Sequence, residues 1–162
     1  MKRIENYIVS LFGIGHLSCY QGSIASLVVG LIWYLFIVFV NPNLYLQLGC
    51  LIFMILISVV SINKYMLKST ETDPDEIVID EACGIIISML FMNLVLPNSD
   101  PYSDLRYLGV SLFIFRLLDG LKPSFVYRIQ ILNTPYSILF DDIAAGIITL
   151  LISISLRLNF II

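Results

Sequence analysis

Charged residues are scarce in this chain, and where they occur they cluster. Asp80 and Glu81 are adjacent near the end of Asp73-Pro74-Asp75-Glu76-Ile77-Val78-Ile79-Asp80-Glu81-Ala82-Cys83-Gly84. Asp141 and Asp142 are adjacent in Phe140-Asp141-Asp142-Ile143-Ala144-Ala145-Gly146. Carboxylate oxygens are hard ligands, and Mg²⁺ is typically held by one or two of them together with water and substrate phosphate. Each pair stands ahead of an apolar run, and Asp-x-Ala-x-Gly recurs at Asp80 to Gly84 and at Asp142 to Gly146. Small residues after the acids let two helices approach closely, so the two pairs can converge on one cation. The plainer alternative is that acidic residues only complement the dipole at two helix starts.

A third cluster supplies positive charge. In Phe115-Arg116-Leu117-Leu118-Asp119-Gly120-Leu121-Lys122-Pro123, the residues Arg116, Asp119 and Lys122 recur every three positions and share a broad helix face. Pro123 disfavours helix at Lys122 and ends the element there. Arginine binds phosphate as a bidentate fork and lysine as a point charge. The alternative is an Arg–Asp pair with snorkelling side chains at a membrane interface. A fourth cluster is Gly13-Ile14-Gly15-His16-Leu17-Ser18, followed by Gln21-Gly22-Ser23-Ile24-Ala25-Ser26-Leu27. Small and hydroxyl residues at a helix start can present N–H groups to an anion, which makes Ser23 a candidate phosphate contact; they also serve as ordinary turn and capping residues.

The elements that must position these groups are strongly apolar. Of 162 residues, 59% are hydrophobic and 13% charged, with a mean hydropathy of +0.94, whereas an average soluble domain has about a quarter of its residues charged. This composition excludes an ordinary soluble globule and a disordered chain, and the length fits a single domain over residues 1–162. The weak net charge of −3, with only nine scattered Lys and Arg, argues against a nucleic-acid partner. Cys19, Cys50 and Cys83 form no Cys-x-x-Cys pair, so neither a disulfide framework nor a thiolate metal site is indicated. The single His16 excludes mechanisms that need two histidines. Nucleophile segments of the Asp-x-Asp-x-Thr/Val and Cys-x5-Arg kinds are also missing, as is Arg-His-Gly.

The first 22 residues show no apolar core ending in a small-residue cleavage site, so no removable signal peptide is expected. Five apolar runs follow, at residues 23–40, 44–62, 82–96, 107–118 and 143–162. Backbone polar groups in lipid must be satisfied internally, so these runs should be helices. The expected fold is all-α, a polytopic membrane bundle of about five hydrophobic helices, or four if a short run is re-entrant. With five crossings, Lys2, Arg3, Lys64, Lys68, Lys122 and Arg128 share one side, and Arg106 and Arg157 the other. The positive-inside rule makes the first side cytoplasmic, and the acidic pairs go with it. Carboxylates for a hard cation and cations for an anion then meet at the cytoplasmic surface, a combination suited to a phosphorylated lipid.

At these residues the sequence resembles the phosphatidylglycerophosphatase A family. The likeness rests on Asp73-Pro74-x-x-Ile77-Val78-x-Asp80-Glu81-x-x-Gly84, on Phe115-Arg116-x-x-Asp119-x-x-Lys122-Pro123, and on Asp141-Asp142-x-x-Ala145-Gly146, collinear within about Gly13 to Gly146. The resemblance implies an integral enzyme of the bacterial cytoplasmic membrane that removes the terminal phosphate of phosphatidylglycerophosphate, with Mg²⁺ as cofactor. It implies that Asp80, Glu81, Asp141 and Asp142 hold the metal, that Arg116 and Lys122 bind the phosphate, and that Asp119 orients Arg116 or adds a ligand. Attack by water and a phospho-aspartate route through Asp80 or Asp142 both remain open. The chain departs from the family at Ser18 to Leu27, which is one residue shorter and lacks both prolines, and where Ser23 replaces a threonine and Ala25 a glycine. It departs again at Phe125, Gln130 and Asn133-Thr134-Pro135-Tyr136. The rival readings are a non-catalytic lipid-binding or scaffold protein and a decayed enzyme of the same fold.

Overall fold

The computed structural model describes residues 4–17, 20–69, 74–95, 101–121 and 135–160, and every regular element among them is helical, as expected. The elements are α1 (Ile4–Val9), a 3₁₀ turn (Ile14–His16), α2 (Gln21–Val40), α3 (Leu44–Met66), α4 (Ile79–Ser88), α5 (Met92–Val95), α6 (Pro101–Leu121) and α7 (Pro135–Phe160).

The α2–α3 hairpin forms where Asn41-Pro42-Asn43 interrupts the apolar sequence. Asn41 takes a left-handed conformation (φ 47°), which asparagine enters more readily than most residues. Asn43 then caps α3 by accepting the Leu46 N–H at 3.0 Å. Both helices, together with residues 136–159 of α7, are long and apolar enough to cross a membrane. A 20-residue helix spans about 30 Å, the thickness of a bilayer core.

The third run departs from the expected single helix. α4 ends at Ser88, and the chain turns through Phe91 (φ 67°) before α5 begins. Irregular backbone inside an apolar bundle needs a polar partner. Gln47, fully buried on α3, provides it: its Oε1 accepts the Phe91 N–H at 3.3 Å and its Nε2 donates to Asn93 Oδ1 at 2.8 Å. α4 itself is buried on nearly all sides, with Glu81 the one residue of the helix left partly accessible. A helix apolar all round belongs at the centre of a bundle, and α4 packs on α7, α2, α3 and α6.

α6 and α7 are longer than their apolar runs. α6 begins at Pro101, ahead of the expected 107, and takes Asp104 and Arg106 into the helix. The reason lies on α7, where the fully buried Arg157 donates from Nη2 to Asp104 Oδ1 at 2.6 Å and lies over the Tyr107 ring at 4.9 Å. α7 begins at Pro135, so Asp141 and Asp142 sit about two turns inside the helix and not ahead of it.

Two polar ends result. At one, Tyr65 donates to Glu76 at 2.5 Å, Lys68 pairs with Glu5, and the starts of α2, α4 and α7 meet the end of α6. At the other, Asn93 donates to Asn41 Oδ1 and to the Pro42 carbonyl, and Arg157 pairs with Asp104. Of the five expected apolar runs, those in α2, α3 and α7 lie in helices long and apolar enough to cross a membrane, while the third is divided between the short helices α4 and α5.

Candidate active site

The first of these ends contains a cleft of about 310 Å³, lined by Asp75, Asp80, Glu81, Arg116, Asp119, Asp141 and Asp142 among others. Four elements converge on it. Asp80 and Glu81 occupy the first turn of α4, Asp141 and Asp142 come from α7, Arg116 and Asp119 from the end of α6, and Gln21 and Gly22 from the start of α2.

Glycines bring the acids together. A Cβ on Gly146 would lie 2.5 Å from the Gly84 carbonyl oxygen, and one on Gly84 would lie 2.9 Å from the Asp142 carbonyl oxygen and 2.5 Å from Phe115. The α4–α7 crossing is therefore backbone against backbone, one turn beyond Asp80 and Asp142. The result is that carboxylate oxygens of Asp80, Glu81 and Asp142 all lie within 4.8 Å of one another. Asp141 lines the same cleft, but its Oδ1 accepts the Asp142 N–H at 3.1 Å, just as Asp80 Oδ1 accepts the Glu81 N–H at 3.0 Å. In each pair the first acid thus fixes the backbone of the second.

The guanidinium of Arg116 faces this group. Its Nη1 is 2.8 Å from Asp119 Oδ2 and 3.7 Å from Glu81 Oε1. Gly22 closes the arrangement from α2, since a Cβ there would collide with Glu81 Oε1 and come within 3.3 Å of Arg116 Nη1. α2 starts without a side-chain cap hydrogen bond at Tyr20, and Tyr20, Gln21 and Gly22 at its start line the cleft.

Negative charge dominates the cavity. Asp75, Asp80, Glu81, Asp119, Asp141 and Asp142 stand against Arg116 alone among the described lining residues. Burial, then the charges of Glu81, Asp142 and Asp141, push the Asp80 carboxyl well above the usual carboxylate range. Adjacent carboxylates in a desolvated place resist joint ionisation unless a cation joins them. Three hard oxygen donors at this spacing fit a small divalent cation such as Mg²⁺. A phosphate would otherwise be repelled by the same charges.

Of the residues singled out in the sequence, Asp80, Glu81, Asp142, Asp141, Arg116 and Asp119 meet in one cleft. Ser23 lies in the first turn of α2 yet does not line it. Lys122 lies outside the described residues, as do Asp73 and the departures at Phe125 and Gln130. Tyr20, Gln21, Asp75, Ile77 and Ile138 also line the cleft and were not anticipated from the sequence. Asp75 and Ile77 had a signal in their place within the acidic segment, and Gln21 in the cluster of small and polar residues; Tyr20 and Ile138 became visible only when the start of α2 and α7 packed against it.

A family model described as phosphatidylglycerophosphatase A matches residues 7–157. Comparison with curated proteins and with solved structures gave no match.

Proposed function

The chain belongs to the phosphatidylglycerophosphatase A family, and on that premise we propose that it hydrolyses the terminal phosphate of phosphatidylglycerophosphate to phosphatidylglycerol and phosphate, with Mg²⁺ as cofactor. The observation that carries this reading is the meeting of Asp80, Glu81 and Asp142 within 4.8 Å, with the Arg116 guanidinium 3.7 Å from Glu81. Together they provide a cation site and an anion site in contact.

In this reading Asp80, Glu81 and Asp142 hold Mg²⁺, and Asp141 completes the set from its place on the cleft wall. Bound there, the cation supplies charge that polarises phosphoryl oxygens and lowers the pKa of an attacking water. Arg116 receives the phosphate oxygens, held in aim by Asp119 at 2.8 Å; Lys122, just beyond α6, adds a second positive charge. The uncapped start of α2 turns N–H groups and the positive end of its dipole toward the same anion. In hydrolysis a water oxygen bonds to phosphorus, the bond from phosphorus to the glycerol oxygen breaks, and that oxygen leaves with a proton. The family likeness and the long apolar helices support a lipid substrate taken from the membrane. The Lys and Arg asymmetry supports a cytoplasmic orientation of the cleft.

The test is phosphate release by purified protein in detergent, with phosphatidylglycerophosphate as substrate. Release should require Mg²⁺, stop on chelation, and be abolished in Asp80→Asn and Asp142→Asn, which keep shape but remove charge. A folded wild-type protein that binds the lipid and releases nothing would make it a non-catalytic relative. For orientation, an impermeant thiol reagent applied outside the cell should fail to label Lys68→Cys.

A further inference from the structure

Tyr20 stands in the lining of this cleft and has no part in the chemistry assigned above. Its backbone is left-handed, with φ 58° and ψ 30°. For a bulky side chain that conformation is a genuine outlier, and such strain persists only where the surroundings over-determine it. Here they do. The Tyr20 carbonyl accepts the Ile24 N–H at 2.9 Å and so opens α2. Next in the chain, Gln21 Nε2 donates to the Asp75 carbonyl at 3.1 Å, and Gly22 is seated against Glu81. Its two successors are thus held against the 74–81 segment, and the left-handed turn at residue 20 leads the chain into that arrangement.

Glycine would fill that position without strain. Packing does not account for a tyrosine either, because Tyr20 is 81% exposed. Tyr20 lines the cleft without being buried by the protein. An aromatic side chain kept at this cost, unburied and beside the phosphate-binding group, is placed to be covered by a bound molecule.

We propose that Tyr20 is a substrate-binding residue that holds the body of the lipid, its glycerol and the first carbons of its acyl chains, at the mouth of the cleft. The inference rests on the proposed phosphatase reading and adds how the site favours a lipid over a small phosphate ester. With the terminal phosphate at Arg116, the remainder of the lipid must leave the cleft on its exposed side, and among the lining residues Tyr20 is exposed while Ile77 and Ile138 are buried in the wall. A tyrosine suits that boundary, having an apolar face and a hydroxyl that tolerates the wet interface.

The test compares wild type with Tyr20→Gly and Tyr20→Phe in mixed micelles. Steady-state hydrolysis is followed with phosphatidylglycerophosphate and with its chain-free counterpart, glycerophosphoglycerophosphate, alongside thermal unfolding. Tyr20→Gly should unfold at the same temperature or higher, because strain is relieved. Its KM for the lipid should nevertheless rise roughly five- to tenfold, the scale of one aromatic contact, with kcat little changed. Its KM for the chain-free ester should match wild type, and Tyr20→Phe should restore lipid KM. An unchanged lipid KM in Tyr20→Gly would overturn the inference, as would an equal rise for both substrates, since Tyr20 would then act on the phosphate or on the fold. A wild type inactive on the lipid would overturn the phosphatase reading and this inference with it, whereas an active wild type matched by Tyr20→Gly would remove this inference alone.

Discussion

Adding one methyl group at Gly146 should damage the cation site from a full turn away. A Cβ on Gly146 would sit 2.5 Å from the Gly84 carbonyl oxygen and 3.1 Å from its Cα, where ordinary contact begins at 3.4 Å. The obstacle is backbone, so rotamer changes cannot relieve it, and α4 and α7 must part by about 0.9 Å, the difference between 2.5 and 3.4 Å. Asp142 and Asp80 lie one turn toward the cleft on the same two helices, so their carboxylates separate by a similar amount. Ligating groups need placement within about 0.5 Å, and Mg²⁺ tolerates little departure from near-ideal octahedral geometry. The expected loss in Mg²⁺ affinity for Gly146→Ala is therefore roughly 10- to 100-fold, the scale seen when the support of metal ligands is disturbed. Stability should change less. Overpacking costs about 1–3 kcal/mol, offset in part by about 1 kcal/mol of helix propensity gained over glycine. Gly109→Ala is the control, because nothing lies within 4 Å of its added Cβ. The assay is turnover against Mg²⁺ concentration, with detergent-phase unfolding alongside. A Gly146→Ala protein with the wild-type Mg²⁺ half-saturation would show that the helix crossing does not set the site.

Three further outcomes are expected. Arg116→Lys should lower lipid turnover by about ten- to a hundredfold, since an ammonium cannot reproduce a bidentate guanidinium contact and a charge-assisted hydrogen bond contributes about 1.5–3 kcal/mol; near-native turnover would reduce Arg116 to a structural partner of Asp119. The metal-free protein should lose stability as pH rises from the ordinary aspartate value of 3.8 toward the raised value of Asp80, because the folded state there keeps a proton that the unfolded chain has released. Mg²⁺ displaces that proton, so the gain in unfolding temperature on adding Mg²⁺ should grow with pH across the same window, and a gain independent of pH would contradict it. At the opposite end, Asp104→Ala strands the buried Arg157 charge and should cost about 3–5 kcal/mol, whereas Asp104→Ala with Arg157→Met should recover much of the loss; equal unfolding temperatures for the single and double variants would show that the pair is not what the end depends on.

The sequence by itself determined the helical, apolar class of this protein and picked out most of the charged residues of the candidate cleft. Every regular element among the described residues is helical, and a chain this apolar can satisfy its backbone in lipid only as helices. Charge is so costly there that Asp80, Glu81, Arg116, Asp119, Asp141 and Asp142 stood out as residues needing a reason to exist, and one cleft gathers all six. Element ends were less legible, because polar residues were read as loop. Asp104 and Arg106 lie within α6 since Asp104 meets Arg157, and Asp141 and Asp142 lie within α7 since the helix carries them into the cleft. Neither partner is near in sequence. The break at Phe91 depends on Gln47, a residue on a different helix whose polarity had no evident purpose in its own segment. Only the tertiary structure decided which carboxylates approach one another, because that distance is fixed by Gly84 against Gly146, two backbones on separate helices. It also decided that Tyr20 lines the cleft, since a left-handed turn at a tyrosine is favoured by nothing local.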